Sequence, residues 1–211
     1  TGKSAIAASL LALLESGDHM IILKEGYKST RLFAEGILQK FGVEITMISI
    51  DELDTLTSAI KPGKTKLMML ESPTNPMTRV VDLKKCCAIA KEHNIITVLD
   101  NSCAGFHQHG DVPVDVIVHS LSKFASGVGD VMGGAVMGSA EMVKKIKNTN
   151  VWNCDALSTH AGVELWKSMQ TYQLRTERQA SSALAIGKFL ESHSKVDRVL
   201  YPGLESHPDH E

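Results

Sequence analysis

Lys123 stands in the run Val116-Ile117-Val118-His119-Ser120-Leu121-Ser122-Lys123-Phe124-Ala125-Ser126-Gly127. A short apolar strand ends there in a polar turn. Two hydroxyls, Ser120 and Ser122, precede the lysine, and small residues follow it. A primary amine at a strand end, beside hydroxyls that can hold a phosphate, suits a phosphate-bearing aldehyde captured as a Schiff base. Most lysines in Ser/Gly loops are simply solvated, so the assignment needs partners elsewhere in the chain.

Candidates exist. Asp100 follows the apolar, β-branched run Ile95-Ile96-Thr97-Val98-Leu99. A carboxylate so placed is partly desolvated and calls for a cation. A protonated pyridine nitrogen is such a cation, and holding it protonated makes the ring an electron sink. A helix cap or a turn explains the same aspartate equally well. Gly2-Lys3-Ser4 puts small residues at a helix start, where backbone N–H groups face a phosphate. The same three residues match the tail of a Walker A motif, whose earlier glycine is not in the sequence, so a P-loop nucleotide binder is a rival reading. Tyr27 follows Glu25-Gly26 after an apolar run, where its ring can stack on a planar ligand or merely pack. Asn75 lies between Pro73 and Pro76, which fixes its amide to bond a ligand oxygen or to close an Asx turn. His107, His109 and His119 have only Asp111 nearby in sequence and read as loop histidines; no metal site is expected.

The elements that position these groups alternate. Helical patterns cover residues 5–15, 31–40, 51–60, 82–93, 163–169 and 175–190. Strand patterns cover 19–23, 43–49, 66–70, 95–99, 114–118 and 131–137, and 196–201 reads as the opening of another strand. Strands separated by helices predict an α/β fold, a mostly parallel sheet sandwiched by helices. Ligands of such sheets bind at the carboxyl ends of the strands, where Asn75, Asp100, Ser120, Ser122 and Lys123 all fall.

Composition narrows the class. With 211 residues and 43% hydrophobic content the chain builds one sizeable core and part of a second. Its 22 basic and 24 acidic residues balance to −2, which gives no cationic surface for nucleic acid or lipid. No apolar stretch reaches the roughly 18 residues needed to span a bilayer. Cys86, Cys87, Cys103 and Cys154 fit neither a zinc ribbon nor a disulfide framework and suit a reducing cytoplasm. Both ends read as internal to a longer protein.

Taken in order, Glu71-Ser72-Pro73-Thr74-Asn75-Pro76, Asp100-Asn101, His119 to Phe124, Gly127 to Asp130, Leu174 to Arg178 and Tyr201 to Pro208 resemble the Cys/Met-metabolism family of pyridoxal-phosphate enzymes. That family includes cystathionine γ-synthases, cystathionine β- and γ-lyases and methionine γ-lyases. The resemblance spans essentially the whole chain. It implies an aspartate-aminotransferase-like large domain of fold type I over 1–185 and the start of a smaller C-terminal α/β domain over 186–211. It implies pyridoxal 5′-phosphate as cofactor and elimination or replacement at the β or γ carbon of a sulfur amino acid, as in trans-sulfuration. The γ-lyase is the leading member, with γ-synthase, β-lyase and methionine γ-lyase as alternatives. Lys123 would be the Schiff-base lysine and proton shuttle, and Asp100 the partner of the pyridine nitrogen. Asn75 would lie near the ring hydroxyl. Ser120, Ser122 and the N–H groups of Gly2 and Lys3 would hold the phosphate, and Tyr27 would stack and assist proton transfer. A cytoplasmic homo-oligomer is implied, a tetramer built from dimers whose two subunits share active sites, with an N-terminal Tyr and Arg reaching the neighbour's phosphate and a C-terminal Arg taking the substrate carboxylate.

The chain departs from the family pattern at several positions. Tyr27-Lys28-Ser29-Thr30-Arg31-Leu32-Phe33 stands where Tyr-Gly-Gly-Thr-Tyr-Arg-Leu-Phe is usual, one residue shorter and without the glycines that allow φ > 0. Lys3 replaces a methionine, Ser122 a threonine, Phe124 a tyrosine and Val128 a histidine. A member that binds the cofactor but has lost catalysis is the alternative these departures raise.

Overall fold

The computed structural model describes residues 1–153 and 155–210; Cys154 and Glu211 lie outside the described residues. Six strands form one sheet: β1 (His19–Leu23), β2 (Glu44–Ile48), β3 (Thr65–Glu71), β4 (Ile96–Asp100), β5 (Val116–Ser120) and β6 (Gly134–Gly138). Their order is β2-β1-β3-β4-β5-β6. The first four pairings are parallel, and β6 alone runs antiparallel, against β5. The expected mostly parallel sheet is therefore present.

Period-2 alternation sends side chains to two cores. Met20, Ile22, Leu67, Met69, Val98, Val116 and Val118 pack under α1 (Gly2–Leu13), with α2 (Lys28–Gly36) and Ile146 of a later helix on the same face. Ile21, Leu23, Met68, Leu70 and Leu99 turn the other way, onto α3 (Leu83–Glu92) and the 3₁₀ segment Ile50–Ala59. A sheet so covered must be apolar on both faces, which is why its strands read as near-continuous hydrophobic runs. Three further helices follow: α4 (Ala140–Asn150), α5 (Thr159–Met169) and α6 (Tyr172–Glu191).

Local chemistry shifted several boundaries. Helix α1 starts at Gly2 rather than Ala5, because the Thr1 hydroxyl accepts the Ser4 N–H at 3.1 Å and closes a capping box. The last strand starts at Gly134 rather than Val131. Residues before it fold back on the Lys123 turn, where Leu121 N–H donates to the Gly133 carbonyl at 3.1 Å and Gly133 N–H to Ser122 Oγ at 3.2 Å. The strand expected over 196–201 does not form. Its backbone finds no strand partner among the described residues. The Leu200 carbonyl instead accepts the Thr78 hydroxyl at 3.1 Å, and Asp209 takes the Arg79 guanidinium through bonds of 2.6 and 3.1 Å.

Candidate active site

Register brings the functional side chains to one edge. Glu71 at the end of β3 sits beside Asp100 at the end of β4, and Asp100 pairs with Val118, two residues before Ser120. From β1 the chain goes to β2 on one side, and β3 then returns on the other. The β1/β3 gap is thus a switch point, the usual place for a ligand crevice. A cleft of about 930 Å³ opens over this edge. Gly2, Lys3, Tyr27, Asn75, Asp100, Ser120, Ser122 and Lys123 all line it.

Two cradles are visible in the cleft. At one end the N-terminus of α1 meets the end of β5. A Cβ added to Gly2 would lie 2.7 Å from Ser120 Cβ and 2.9 Å from its hydroxyl, so only glycine allows helix and hydroxyl to converge. Gly134 fixes the helix from the other side, since a Cβ there would lie 2.1 Å from the Thr1 carbonyl. Backbone N–H groups, the helix dipole, the Ser120 and Ser122 hydroxyls and the exposed Lys3 together suit an anion. Ser4 is turned away into the Thr1 capping box, with 2.7 Å between the hydroxyls. A P-loop would need that hydroxyl facing the phosphate and its metal, so the geometry speaks against the nucleotide-binding rival.

At the other end Asp100 is 5% exposed. Its Oδ1 accepts the Ser102 N–H at 2.9 Å, and the Ser102 hydroxyl accepts the Ser120 N–H at 2.8 Å, which ties the two strand ends together. Burial raises the Asp100 pKa, with Ser102 opposing. No cationic side chain pairs with it among the described residues. A buried carboxylate without a counter-charge, at the wall of a cleft with an anion cradle opposite, fits a ligand that carries a ring cation and a phosphate. Pyridoxal phosphate carries both.

Residues that sequence reasoning passed over complete the site. Glu71, 6% exposed, accepts the Tyr27 N–H at 2.5 Å on Oε2 and the Asn75 N–H at 2.8 Å on Oε1. Desolvation pushes its pKa up to about 7, the backbone donors opposing and Asp100 adding. Arg175 of α6 donates to the carbonyls of Phe124 at 2.9 Å, Ala125 at 3.2 Å and Ser168 at 3.0 Å, which buttresses the turn that carries Lys123. His119, expected as a loop histidine, instead lies inside β5 and is buried there as a wedge, because alternation along the strand turns it inward. Its Nδ1 donates to Asn101 Oδ1 at 2.8 Å, its ring lies 4.4 Å from Phe106, and burial pushes its pKa down to about 4. Sequence signals for Glu71 and Arg175 existed only as members of longer motifs, because both act on backbone atoms.

Comparison with known proteins agrees with this geometry. The profile of the Cys/Met metabolism PLP-dependent enzyme family matches residues 1–211. Cystathionine gamma-synthase 1, chloroplastic, of Arabidopsis thaliana is 34% identical over 213 residues, covering 100% of this chain and 38% of that protein. Canavanine gamma-lyase of Pseudomonas canavaninivorans is 36% identical, covering 100% of this chain and 54% of its own. The crystal structure of cystathionine gamma-lyase from Lactobacillus plantarum complexed with L-serine superposes with a TM-score of 0.91 at 30% identity, over 98% of this chain and 55% of that one. The chain thus spans between two-fifths and just over half the length of these relatives.

Proposed function

The chain belongs to the Cys/Met metabolism PLP-dependent enzymes, and from that premise we propose that it carries the cofactor site of an enzyme acting at the γ carbon of a sulfur amino acid. Elimination of the γ-lyase kind is the leading reaction, and γ-replacement is its close alternative. The γ-carbon chemistry in the names of the relatives supports this choice over β-elimination. The observation that carries the reading is the single cleft lined by all eight anticipated residues, with an uncompensated Asp100 facing an anion cradle.

Pyridoxal 5′-phosphate, when bound, supplies the electron sink that makes a substrate α-proton removable. The chain's own residues then have distinct tasks. The α1 N–H groups at Gly2 and Lys3, with Ser120 and Ser122, bind the phosphate. Asp100 would keep the pyridine nitrogen protonated, Asn75 would bond the ring hydroxyl, and Tyr27 would stack on the ring. Lys123 Nζ would hold the cofactor covalently and, once the substrate amine has displaced it, would be free to take and return the α-proton. Tyr27 would assist proton transfer as the acid toward the leaving group. The domain division at 185/186, a homo-oligomer with shared sites and a cytoplasmic setting belong to the same reading. The free thiols of Cys86 and Cys87 suit a reducing compartment.

The test is the visible spectrum of the longer protein that contains this chain, before and after L-cystathionine. A band above the protein absorbance is expected, lost in Lys123→Ala. Release of ammonia and a keto acid from cystathionine, methionine or homocysteine is expected from the unchanged protein. A band that survives Lys123→Ala would overturn the assignment.

A further inference from the structure

Tyr27 and Asn75 belong to different loops, one after β1 and one after β3, yet both are to meet one ring. Tyr27 is the N-cap residue of α2 and makes no side-chain cap bond. Its loop lacks the glycines usual in the family. The amide N–H groups of both residues end on the same carboxylate, Glu71 Oε2 at 2.5 Å and Oε1 at 2.8 Å. We propose that Glu71 is a positioning residue for the cofactor site, a two-oxygen clamp that sets Tyr27 and Asn75 relative to each other across the β1/β3 gap. This rests on the reading of the cleft as a pyridoxal-phosphate site.

Several features support a clamp over an ordinary buried acid. Glu71 is the terminal residue of β3, so its backbone is fixed by the β4 ladder, in register with Asp100. Each oxygen has its own donor, and the two donors are 48 positions apart in sequence (75 − 27). The loop is also tailored to the acid. A Cβ on Gly26 would come within 3.3 Å of Oε2, and the Gly26 carbonyl is held by Arg31 Nε at 3.2 Å. The charged and titratable neighbours are Arg31 on α2, Asp100 on β4 and Cys103 after it. None of them takes over the two amides. Buried backbone N–H groups need an acceptor, and an ionised one holds them better than a neutral one.

Glu71→Gln tests the clamp, because the amide keeps one acceptor oxygen and turns the other into a donor that repels an N–H. In the cofactor-free protein, hydrogen exchange is expected to speed up in peptides covering 25–30 and 72–78 while β3 stays protected. In the same variant, affinity for pyridoxal 5′-phosphate is expected to fall on the order of tenfold with the visible band retained at Lys123. Unchanged exchange in both peptides, or unchanged affinity, overturns the proposal. If Glu71→Gln loses β3 protection as well, Gly26→Ala reads the Tyr27 half alone. Its methyl crowds Oε2, and exchange must rise over 25–30 but not over 72–78. Exchange needs no cofactor, so a failed clamp is distinguishable from a failed cofactor reading, which shows instead as no visible band in the unchanged protein.

Discussion

Asp100 is an acid to which the described residues offer Ser102 but no counter-charge. On the proposed reading its partner in the loaded protein is the ring nitrogen. Removing one member of a buried charge pair costs about 3–5 kcal/mol, so Asp100→Asn is expected to slow turnover about 10²–10⁴-fold. The Lys123-dependent visible band should remain; near-normal turnover would sink the role. The cofactor-free protein should respond with the opposite sign. Burial raises the folded pKa of both Asp100 and Glu71. A carboxyl with a raised folded pKa favours the fold when protonated, and that contribution is lost as pH rises through the folded value. For Glu71 the window runs from its ordinary 4.5 to about 7, worth at most about 3 kcal/mol. The unfolding temperature of the cofactor-free protein should therefore fall relative to that of Glu71→Gln between these pH values. Parallel curves would refute it. Asp100 was legible in the sequence because a polar residue at the end of an apolar strand stands out. Glu71 was not, because the strand was read as ending at Leu70 and because nothing in the sequence pairs a side chain with distant backbone amides.

The turn from Leu121 to Gly133 carries Lys123 but has no regular structure, so its shape depends on neighbours. Gly127 has φ of +80°, and a Cβ there would run into the Arg175 guanidinium. Arg175 in turn spans three carbonyls, two of them in the turn. Its planar fork suits that task and an ammonium does not. Arg175→Lys is expected to lower cofactor affinity and turnover together while the sheet melts nearly unchanged; a variant indistinguishable from the parent in a cofactor titration would refute the buttress. Here too the sequence was partly legible. Runs such as Met20-Ile21-Ile22-Leu23 and Leu67-Met68-Met69-Leu70 announced strands buried on both faces. The direction of β6 was not legible, because a short run of small and apolar residues pairs equally well either way. The strand expected over 196–201 failed for the same kind of reason: strand propensity needs an edge to pair with. That stretch is held by side chains instead, and Arg79→Ala should release it, seen as faster exchange over 200–210.

The described chain leaves much apolar surface uncovered on its last helices. No residue of α5 is buried, and Trp166, Leu174 and Phe189 are 66%, 70% and 63% exposed. Large apolar side chains so exposed on two successive helices suit a surface that is covered in the longer protein, as the proposed homo-oligomer would have it. The site argues in the same direction. A cofactor phosphate brings about −1.5 to −2 charges, into a cleft that already holds Asp100 and Glu71. The only side-chain cations lining that cleft among the described residues are Lys3 and Lys123, and on the proposed reading the second is committed to the aldehyde. Further positive charge from a neighbouring subunit would offset the excess, as the family resemblance implies. Residues 1–211 alone are therefore expected to bind pyridoxal 5′-phosphate weakly and to turn over cystathionine little. The longer protein should retain the cofactor through gel filtration, elute as a multiple of its subunit mass and protect α5 and α6 from hydrogen exchange. Equal cofactor retention by the 211-residue chain as a monomer would show that one subunit completes the site, with Lys3 then its sufficient phosphate cation.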